Sequence, residues 1–178
     1  MTQGPVLTTD RFELWKPAAG DLDDLVHLLE GEDMTRFLGP ARPTALSQFE
    51  RLLRNAGSWA LYGYGIFYIR RPGESGIIGS CGVFHSWRGF GKGMDDTPEA
   101  GWIVRRDWWG KGVAGEAMRT VLPWFDETHG QRRIACMIEE GNTSSERLAA
   151  ALGFEPCGSH VPEDGERTVI NLYERVPA

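Results

Sequence analysis

Cysteine and long apolar runs are scarce in this chain of 178 residues. The three cysteines, Cys81, Cys136 and Cys157, form no CxxC pair, so their spacing indicates neither a disulfide framework nor a zinc site. No stretch approaches the ~18 consecutive apolar residues of a membrane-spanning helix, and residues 1–15 lack the basic and apolar regions of a secretory signal. We therefore expect a cytoplasmic protein without a membrane span or a metal ion, with buried free thiols at Cys81 and Cys136.

The chain also has fewer basic than acidic residues. The 19 lysines and arginines face 25 aspartates and glutamates, and the resulting net charge of −6 argues against nucleic acid or an anionic membrane as the main partner. The length predicts one domain over residues 1–178. Glycine, by contrast, is abundant at 23 residues, so turns, bulges or close approach of the backbone to a ligand must account for it.

The periodicity of apolar residues predicts a mixed α/β fold with a mostly antiparallel sheet and one parallel crossover. Asp21 and Thr44 are expected to cap the first two helices, Gly31 to end the first, and residues 86–97 to form a loop. The predicted strands are residues 11–16, 64–70, 76–85, 98–104, 132–139, 154–160 and 167–175.

The later helices carry more detailed expectations. The third begins after a glycine-rich loop and runs toward His129, and Pro123 is expected to kink or break it. The fourth is expected to begin with a capping box of Thr143 and Glu146. The second is expected to bury an apolar face that consists of Leu46, Phe49, Leu52, Leu53 and Ala56.

The segment 110–115 follows a predicted strand and opens a helix. Its glycines let backbone N–H groups approach a phosphate, and the helix N-terminus adds a partial positive charge. Together with Arg105, Arg106 and Lys111, the segment indicates a polyphosphate ligand. A tight turn without a ligand explains the glycines equally well, because the spacing GxGxxG is a weak signal by itself.

A dinucleotide is the competing ligand, with Glu139 at the end of the next strand as the residue for a ribose hydroxyl. Two features argue against a Rossmann unit. In that fold the glycines directly follow the first strand, whereas residues 105–109 intervene here. The segments before the loop also predict antiparallel rather than parallel strands. A P-loop is excluded because Lys111 is followed by Gly112 rather than by serine or threonine.

Residues 98–118 and 132–155 resemble the GNAT superfamily of acetyl-CoA-dependent N-acetyltransferases, most closely its ribosomal-protein branch of the RimJ/RimL type. The specific part is a Trp-Gly-Lys-Gly run followed later by Asn-x-x-Ser and Leu-Gly-Phe, and residues 7–25 and 34–44 match the branch's opening elements. The resemblance implies a single GNAT domain with a central, mostly antiparallel sheet flanked by helices and a β-α-β cofactor unit. It further implies acetyl transfer to a primary amine by direct attack, without a covalent enzyme intermediate.

The resemblance also implies residues that bind the cofactor, acetyl-CoA, with no metal ion. Ile103 and Val104 would pair with the pantetheine arm through their backbones, and Asn142 would contact the same arm. The pyrophosphate would be held by backbone N–H groups of the glycine-rich loop and the following turn, namely Trp109, Gly110, Lys111, Gly112, Val113, Ala114 and Gly115.

Carried over to this chain, the resemblance names Glu99 as the general base and Ser145 as the group beside the thioester sulfur. Many members place a tyrosine acid in the last helix, where this chain has Ala149. The Val104 N–H is expected to hold the oxyanion of the tetrahedral intermediate.

The acceptor side is less defined by the sequence. A protein N-terminus or a small-molecule amine would bind between residues 31–44 and 86–97. Asp95 and Asp96 are expected either to be solvated or to attract a cationic acceptor, and His85 is expected to have a structural role. Monomer and homodimer are both open. A non-catalytic CoA-binding module and a dinucleotide-dependent oxidoreductase remain as alternatives.

Overall fold

The computed structural model describes residues 4–37, 43–162 and 168–177. Over these residues the chain forms eight strands and five α-helices, and none of these helices is long and apolar enough to cross a membrane. In chain order the elements are β1 (Leu7–Thr8), β2 (Glu13–Trp15), α1 (Leu22–Leu28), α2 (Glu32–Thr35), α3 (Ala45–Tyr62), β3 (Ile66–Arg70), β4 (Ile77–Trp87), β5 (Asp95–Val104), α4 (Val113–His129), β6 (Ile134–Glu139), α5 (Thr143–Ala151), β7 (Glu155–His160) and β8 (Ile170–Arg175).

The strands of the described residues join one sheet in the order β1-β2-β3-β4-β5-β6-β8-β7. Each neighbouring pair is antiparallel except β5 and β6, which are parallel and are joined by the crossover helix α4. The predicted α/β fold with a mostly antiparallel sheet and one parallel crossover is therefore confirmed. A Rossmann unit requires a parallel, doubly wound sheet, so this fold does not favour the dinucleotide-binding hypothesis.

Helices cover both faces of this sheet. The core beneath α4 and α5 takes Val83 and Ala100 from the two central strands, whereas the core beneath α1 and α3 takes Phe84 and Ile103 from the same strands. Side chains of a strand alternate between the two faces, so successive residues of β5 face different helix layers. This alternation decides which side chains of β5 can meet an acceptor and which can meet the cofactor.

Helix α3 begins as predicted but buries a different face. The Thr44 hydroxyl accepts a hydrogen bond from the Ser47 N–H at 3.1 Å, which confirms the cap. Leu46, Phe49 and Leu53 are exposed, so the predicted apolar face is wrong for these three residues. The residues that the helix buries are Gln48, Leu52, Asn55 and Ser58.

The polar side chains of α3 are buried because the sheet supplies hydrogen-bond partners for them. The Asn55 amide donates to the Tyr68 hydroxyl at 3.3 Å, and the Ser58 hydroxyl donates to the Tyr64 carbonyl at 2.8 Å. A buried polar group costs free energy only when it lacks such a partner. Amphipathic periodicity cannot reveal these partners, because they come from a different segment of the chain.

Two predictions around α1 are also wrong. Asp21 precedes α1 but makes no capping hydrogen bond with its side chain. Its carboxylate instead accepts from the Ala18 N–H at 2.8 Å and pairs with Arg70 at 2.5 Å. Helix α1 ends at Leu28, and Gly31, with φ of 99°, begins α2 rather than ending α1.

The helices of the crossover region depart from prediction in two places. Helix α4 is not broken at Pro123 but continues to His129, because Val121 and Phe125 are fully buried on either side of the proline and hold both halves on the sheet. Helix α5 is capped by Asn142, whose side chain accepts from the backbone N–H of the third residue of the helix, so the predicted capping box at Thr143 is wrong.

Candidate active site

The two parallel strands separate at the centre of the sheet. Strands β5 and β6 pair only at Glu99–Ala135 and Ala100–Cys136. Beyond these pairs β5 continues to Val104 and β6 continues to Glu139, but the two strands no longer pair with each other. The sheet therefore has an opening that exposes unpaired backbone groups of both strands, which is where an extended ligand can add its own hydrogen bonds.

The register of β4 and β5 shows which backbone groups face this opening. The Arg105 N–H donates to the Ile78 carbonyl at 2.9 Å, so Arg105 and Ile78 form a hydrogen-bonded pair. Hydrogen-bonded and non-hydrogen-bonded pairs alternate along an antiparallel ladder. Ile103 therefore bonds to β4, whereas the backbones of Trp102 and Val104 face the opening.

The glycine-rich loop lies directly beyond β5. Gly110 and Gly112 have φ of 72° and 74°, a left-handed conformation that only glycine adopts readily, and α4 begins at Val113. The indole N–H of Trp109 donates to the Val104 carbonyl at 2.7 Å, which leaves the Val104 N–H directed into the opening. The loop therefore presents a helix N-terminus where β5 ends.

The remaining residues of the expected pyrophosphate site lie in this loop and in the first turn of α4. Val113 and Gly115 are buried against the core, and Ala114 is half-buried. The Lys111 ammonium lies 4.9 Å from the centre of the Trp108 ring. Lys111 is exposed, so its ammonium can reach an anion at the loop.

Two of the predicted cations are paired with carboxylates. Arg105 contacts Asp107 at 2.7 Å and Arg106 contacts Asp33 at 2.8 Å. These pairs are substantially exposed, so they contribute little to stability. They make Arg105 and Arg106 weaker candidates for the pyrophosphate than the backbone of the loop.

The glycine-rich loop is held in place from the other end of the chain. Arg11 donates to the Lys111 carbonyl at 2.9 Å and to the Glu116 carboxylate at 2.7 Å, and the Thr9 hydroxyl donates to the same carboxylate at 2.6 Å. Partial burial acts to raise the pKa of Glu116, but the hydrogen bonds from Thr9 and Arg11 lower it below its usual value. Sequence analysis did not predict this contact, because about 100 residues separate its partners.

The start of α5 brings two predicted residues to the same opening. Asn142 accepts a hydrogen bond from the Ser145 N–H at 3.2 Å, and the Ser145 hydroxyl accepts one from the Trp102 indole at 3.3 Å. The hydroxyl hydrogen of Ser145 is therefore free to donate elsewhere. Ala149, at the position of the expected tyrosine, is fully buried.

A cavity of about 670 Å³ continues from the opening to the face of the sheet that carries α3. Ser145, Asn142 and Glu99 line it, together with side chains from both segments expected to bind the acceptor. The turn after β4 closes one wall, where the Phe90 and His160 rings stack with 3.7 Å between their centres and Lys92 donates to the Ser159 carbonyl at 2.6 Å. The expected loop 86–97 is shorter than predicted, because β4 extends to Trp87 and β5 starts at Asp95.

Glu99 lies in the floor of this cavity and is only 3% exposed. Arg88 donates to both of its carboxylate oxygens, at 2.9 and 2.5 Å. Such a bidentate pair offsets the cost of burying the charge and fixes the direction of the carboxylate. Each oxygen still has a second lone pair, with which it can accept a proton.

Other polar residues near the cavity have structural partners. His85 bonds to the Tyr64 hydroxyl and to Asp96, each at 2.8 Å. Asp95 is not simply solvated, because it accepts three backbone N–H groups of the turn that follows β4, from Arg88 at 2.8 Å among others. In the part of the chain that the structure describes, no group of three or more His, Cys, Asp or Glu side chains is placed to hold a metal.

The arginines of the acceptor side are not predicted by any motif in the sequence. Arg51 and Arg54 of α3, Arg36 after α2, and Arg88 all line the cavity. The only signal in the sequence is that Arg51 and Arg54 lie three residues apart on one helix face, next to Asn55. That signal is ordinary for a solvated helix and acquires meaning only when the helix is placed on the sheet.

Comparison with known proteins identifies the family. The sequence model described as "Acetyltransferase (GNAT) domain" matches residues 11–155. The structure of a GnaT-family acetyltransferase from Bordetella pertussis superposes with a TM-score of 0.84 at 31% sequence identity, covering 98% of this chain and 100% of that one.

More distant proteins also match this chain. An uncharacterized N-acetyltransferase, p20 of Bacillus licheniformis, is 27% identical over 153 residues, which are 85% of this chain and 83% of that protein. RimL, a ribosomal L7/L12 alpha-N-protein acetyltransferase solved in complex with coenzyme A, has a TM-score of 0.73 at 15% identity, covering 97% of this chain and 96% of that one. At that identity the likeness to RimL concerns the fold alone.

Proposed function

Because the chain belongs to the GNAT family of acetyltransferases, we propose that it transfers an acetyl group from acetyl-CoA to a primary amine by direct attack. The observation that carries this proposal is the opening between β5 and β6. The free backbone groups of Trp102 and the free N–H of Val104 line one wall of it, and the glycine-rich loop lies at its end. In this proposal residues 1–178 form one acetyltransferase domain of the RimJ/RimL type.

The cofactor is bound mainly through the backbone. The pantetheine arm adds to β5 as a short strand, bonded to the backbone of Trp102 and flanked by the Asn142 side chain, and the Val104 N–H is left for the thioester oxygen. The pyrophosphate binds the N–H groups between Gly110 and Gly115, where the dipole of α4 favours negative charge. The thioester then lies beside Ser145, at the junction with the acceptor cavity.

Glu99 and Ser145 divide the proton transfers of the reaction. An amine with a pKa of about 10 must lose a proton before it attacks, and Glu99 takes this proton directly or through a water molecule. The nitrogen lone pair attacks the thioester carbon, and the Val104 N–H stabilises the resulting oxyanion. The C–S bond then breaks, and the Ser145 hydroxyl donates a hydrogen bond to the thiolate, which leaves as CoA.

The test measures cofactor binding and turnover separately. Thermal unfolding is recorded with acetyl-CoA, CoA, NAD and NADP, each at about 100 times an expected micromolar Kd. A bound ligand at that excess adds about 2.7 kcal/mol, which raises Tm by roughly 5–10 °C for a chain of this size. We expect the two CoA species alone to raise Tm, and we expect release of CoA thiol from acetyl-CoA when an acceptor amine is present.

Two results would contradict the proposal. A Tm that rises with neither CoA species rejects the cofactor. A Tm that rises with CoA, without thiol release from acetyl-CoA in the presence of any of the amines tested, rejects acetyl transfer while leaving CoA binding intact.

A further inference from the structure

The charge of the cavity is opposite to the charge of the protein. The chain has a net charge of −6, yet the described residues that line the cavity include four arginines and two glutamates. One of these glutamates, Glu99, is already paired with Arg88. A concave site with an excess of one charge concentrates ligands of the opposite charge.

Two of these arginines lack a carboxylate partner among the residues that the structure describes. Arg51 and Arg54 form no salt bridge there. Burial and then the neighbouring charges of Arg54 and Arg88 lower the pKa of Arg51 below its usual value. A guanidinium that is half-buried beside other guanidinium groups has an electrostatic cost, which an anion bound between them would offset.

Arg88 is placed to serve a ligand as well as Glu99. Its Nε and Nη2 atoms contact Glu99, which leaves Nη1 available, and its side chain is 44% exposed. The position of Arg88 is fixed by Asp95, which accepts the backbone N–H groups of Arg88, Gly89 and Gly91. The guanidinium is therefore preorganised before any ligand arrives.

The hydroxyl of Ser86, which lines the cavity, also lacks a hydrogen-bond partner among the described residues. Ser86 is buried, at 8% exposed. Ser86 lies two residues after Phe84 on β4, and Phe84 pairs with Glu99, so Ser86 and Glu99 share one face of the sheet. The Ser86 hydroxyl is thus a polar group, unpaired within the described part of the chain, on the face of the sheet that carries Glu99.

We propose that the acceptor is a small amine that carries a carboxylate or phosphate near its amino group, and that Arg51, Arg54 and Arg88 bind this anionic group. This inference rests on the acetyl transfer proposed above and narrows its acceptor. The anion binds on the α3 side of the cavity, and the amino group is directed toward Glu99 and the thioester. A polyamine is disfavoured because its additional ammonium groups would meet the same three arginines.

The test compares amine acceptors with and without an anionic group. The panel consists of common α-amino acids, each with its α-carboxamide, together with 2-aminoethyl phosphate and spermidine. Both thiol release and the rise of Tm in the presence of CoA are measured. We expect kcat/KM for the best anionic amine to exceed that of its neutral counterpart by about 100-fold, because charge-assisted hydrogen bonds are the strong ones. The amino acids and the phosphate distinguish the two sources of anion.

Matched variants assign the effect to the named arginines. In Arg51→Gln and Arg54→Gln the preference for the anionic acceptor is expected to fall by about 10-fold or more, whereas Arg51→Lys retains part of it. Arg132→Gln, beyond the far end of α4, is the control and is expected to keep the full preference. A merely structural role for Arg51 would lower the rates of charged and neutral acceptors equally.

The outcomes separate this inference from the function on which it rests. Turnover in which carboxamides or spermidine equal or exceed the anionic amines overturns the inference and retains the acetyltransferase. Selective rise of Tm with anionic amines but without turnover supports the anion site and rejects the transfer. An unchanged preference in both glutamine variants overturns the assignment to Arg51 and Arg54.

Discussion

The two halves of the active site are built by different means. On the cofactor side, β5, the glycine-rich loop and α4 follow each other along the chain, and the groups offered to the ligand belong mostly to the backbone. On the acceptor side, the cavity is lined by side chains from α3, the turn after β4, and the β7–β8 hairpin. A site that binds its ligand through the backbone tolerates substitution of many side chains. A site that binds through side chains changes its specificity with each substitution. The comparison predicts that cofactor and acceptor binding can be damaged independently.

The largest expected effect tests the acceptor side. Glu99→Gln keeps the size of the side chain but removes the base, so kcat/KM at neutral pH is expected to fall by about 100-fold. The Kd for CoA is expected to remain nearly unchanged, because Glu99 lies on the α3 face and away from the glycine-rich loop. Steady-state kinetics measures the fall in kcat/KM, and calorimetric titration with CoA measures the Kd. Unchanged turnover would remove Glu99 from the mechanism.

A smaller effect is expected on the cofactor side. Gly112→Ala places a Cβ on a residue with φ of 74°, which costs about 1–2 kcal/mol and displaces the loop. The Kd for CoA is expected to rise by about 10-fold, since about 1.4 kcal/mol corresponds to a factor of ten. Gly57→Ala is the matched control, because Gly57 lies inside α3 and a Cβ there meets nothing within 4 Å. Equal CoA affinity in both variants would show that the loop conformation does not matter for binding.

The smallest effect concerns the contact between Arg11 and the loop. Glu116→Gln removes the charge that Thr9 and Arg11 bind, and the free energy of unfolding is expected to fall by about 1 kcal/mol at pH 7. The pKa of Glu116 is lower in the folded chain than its ordinary value of 4.5, so this stabilisation is present above about pH 4.5 and is lost as the pH falls through the lowered pKa. Urea unfolding of both proteins at pH 7 and near pH 3 measures the difference. A difference that persists undiminished at the lower pH would mean that the substitution destabilises the fold for a reason other than the lost charge.

The contrast between the two halves also explains what could be predicted. The cofactor side consists of elements that are adjacent in sequence: a strand, the glycines at positive φ and the helix that starts beside them. A local pattern of residues therefore predicts this side. The buried face of α3 was predicted wrongly because Leu46, Phe49 and Leu53 have helical spacing but remain exposed among the described residues. Its polar residues are buried instead, since Tyr64 and Tyr68 of a different segment complete their hydrogen bonds.

Local residue patterns predict the chain order of the longer strands and helices, the crossover and the position of the glycine-rich loop, because these depend on neighbouring residues and on their period. They do not predict the short elements β1 and α2. The packing of the whole chain brings Arg51, Arg54 and Arg88 into one cavity with Glu99, and it directs the backbone of Trp102 rather than that of Ile103 toward the opening. Such facts depend on strand register and on the placement of a helix across the sheet. Both are set by the packing of the whole chain, which no local pattern encodes.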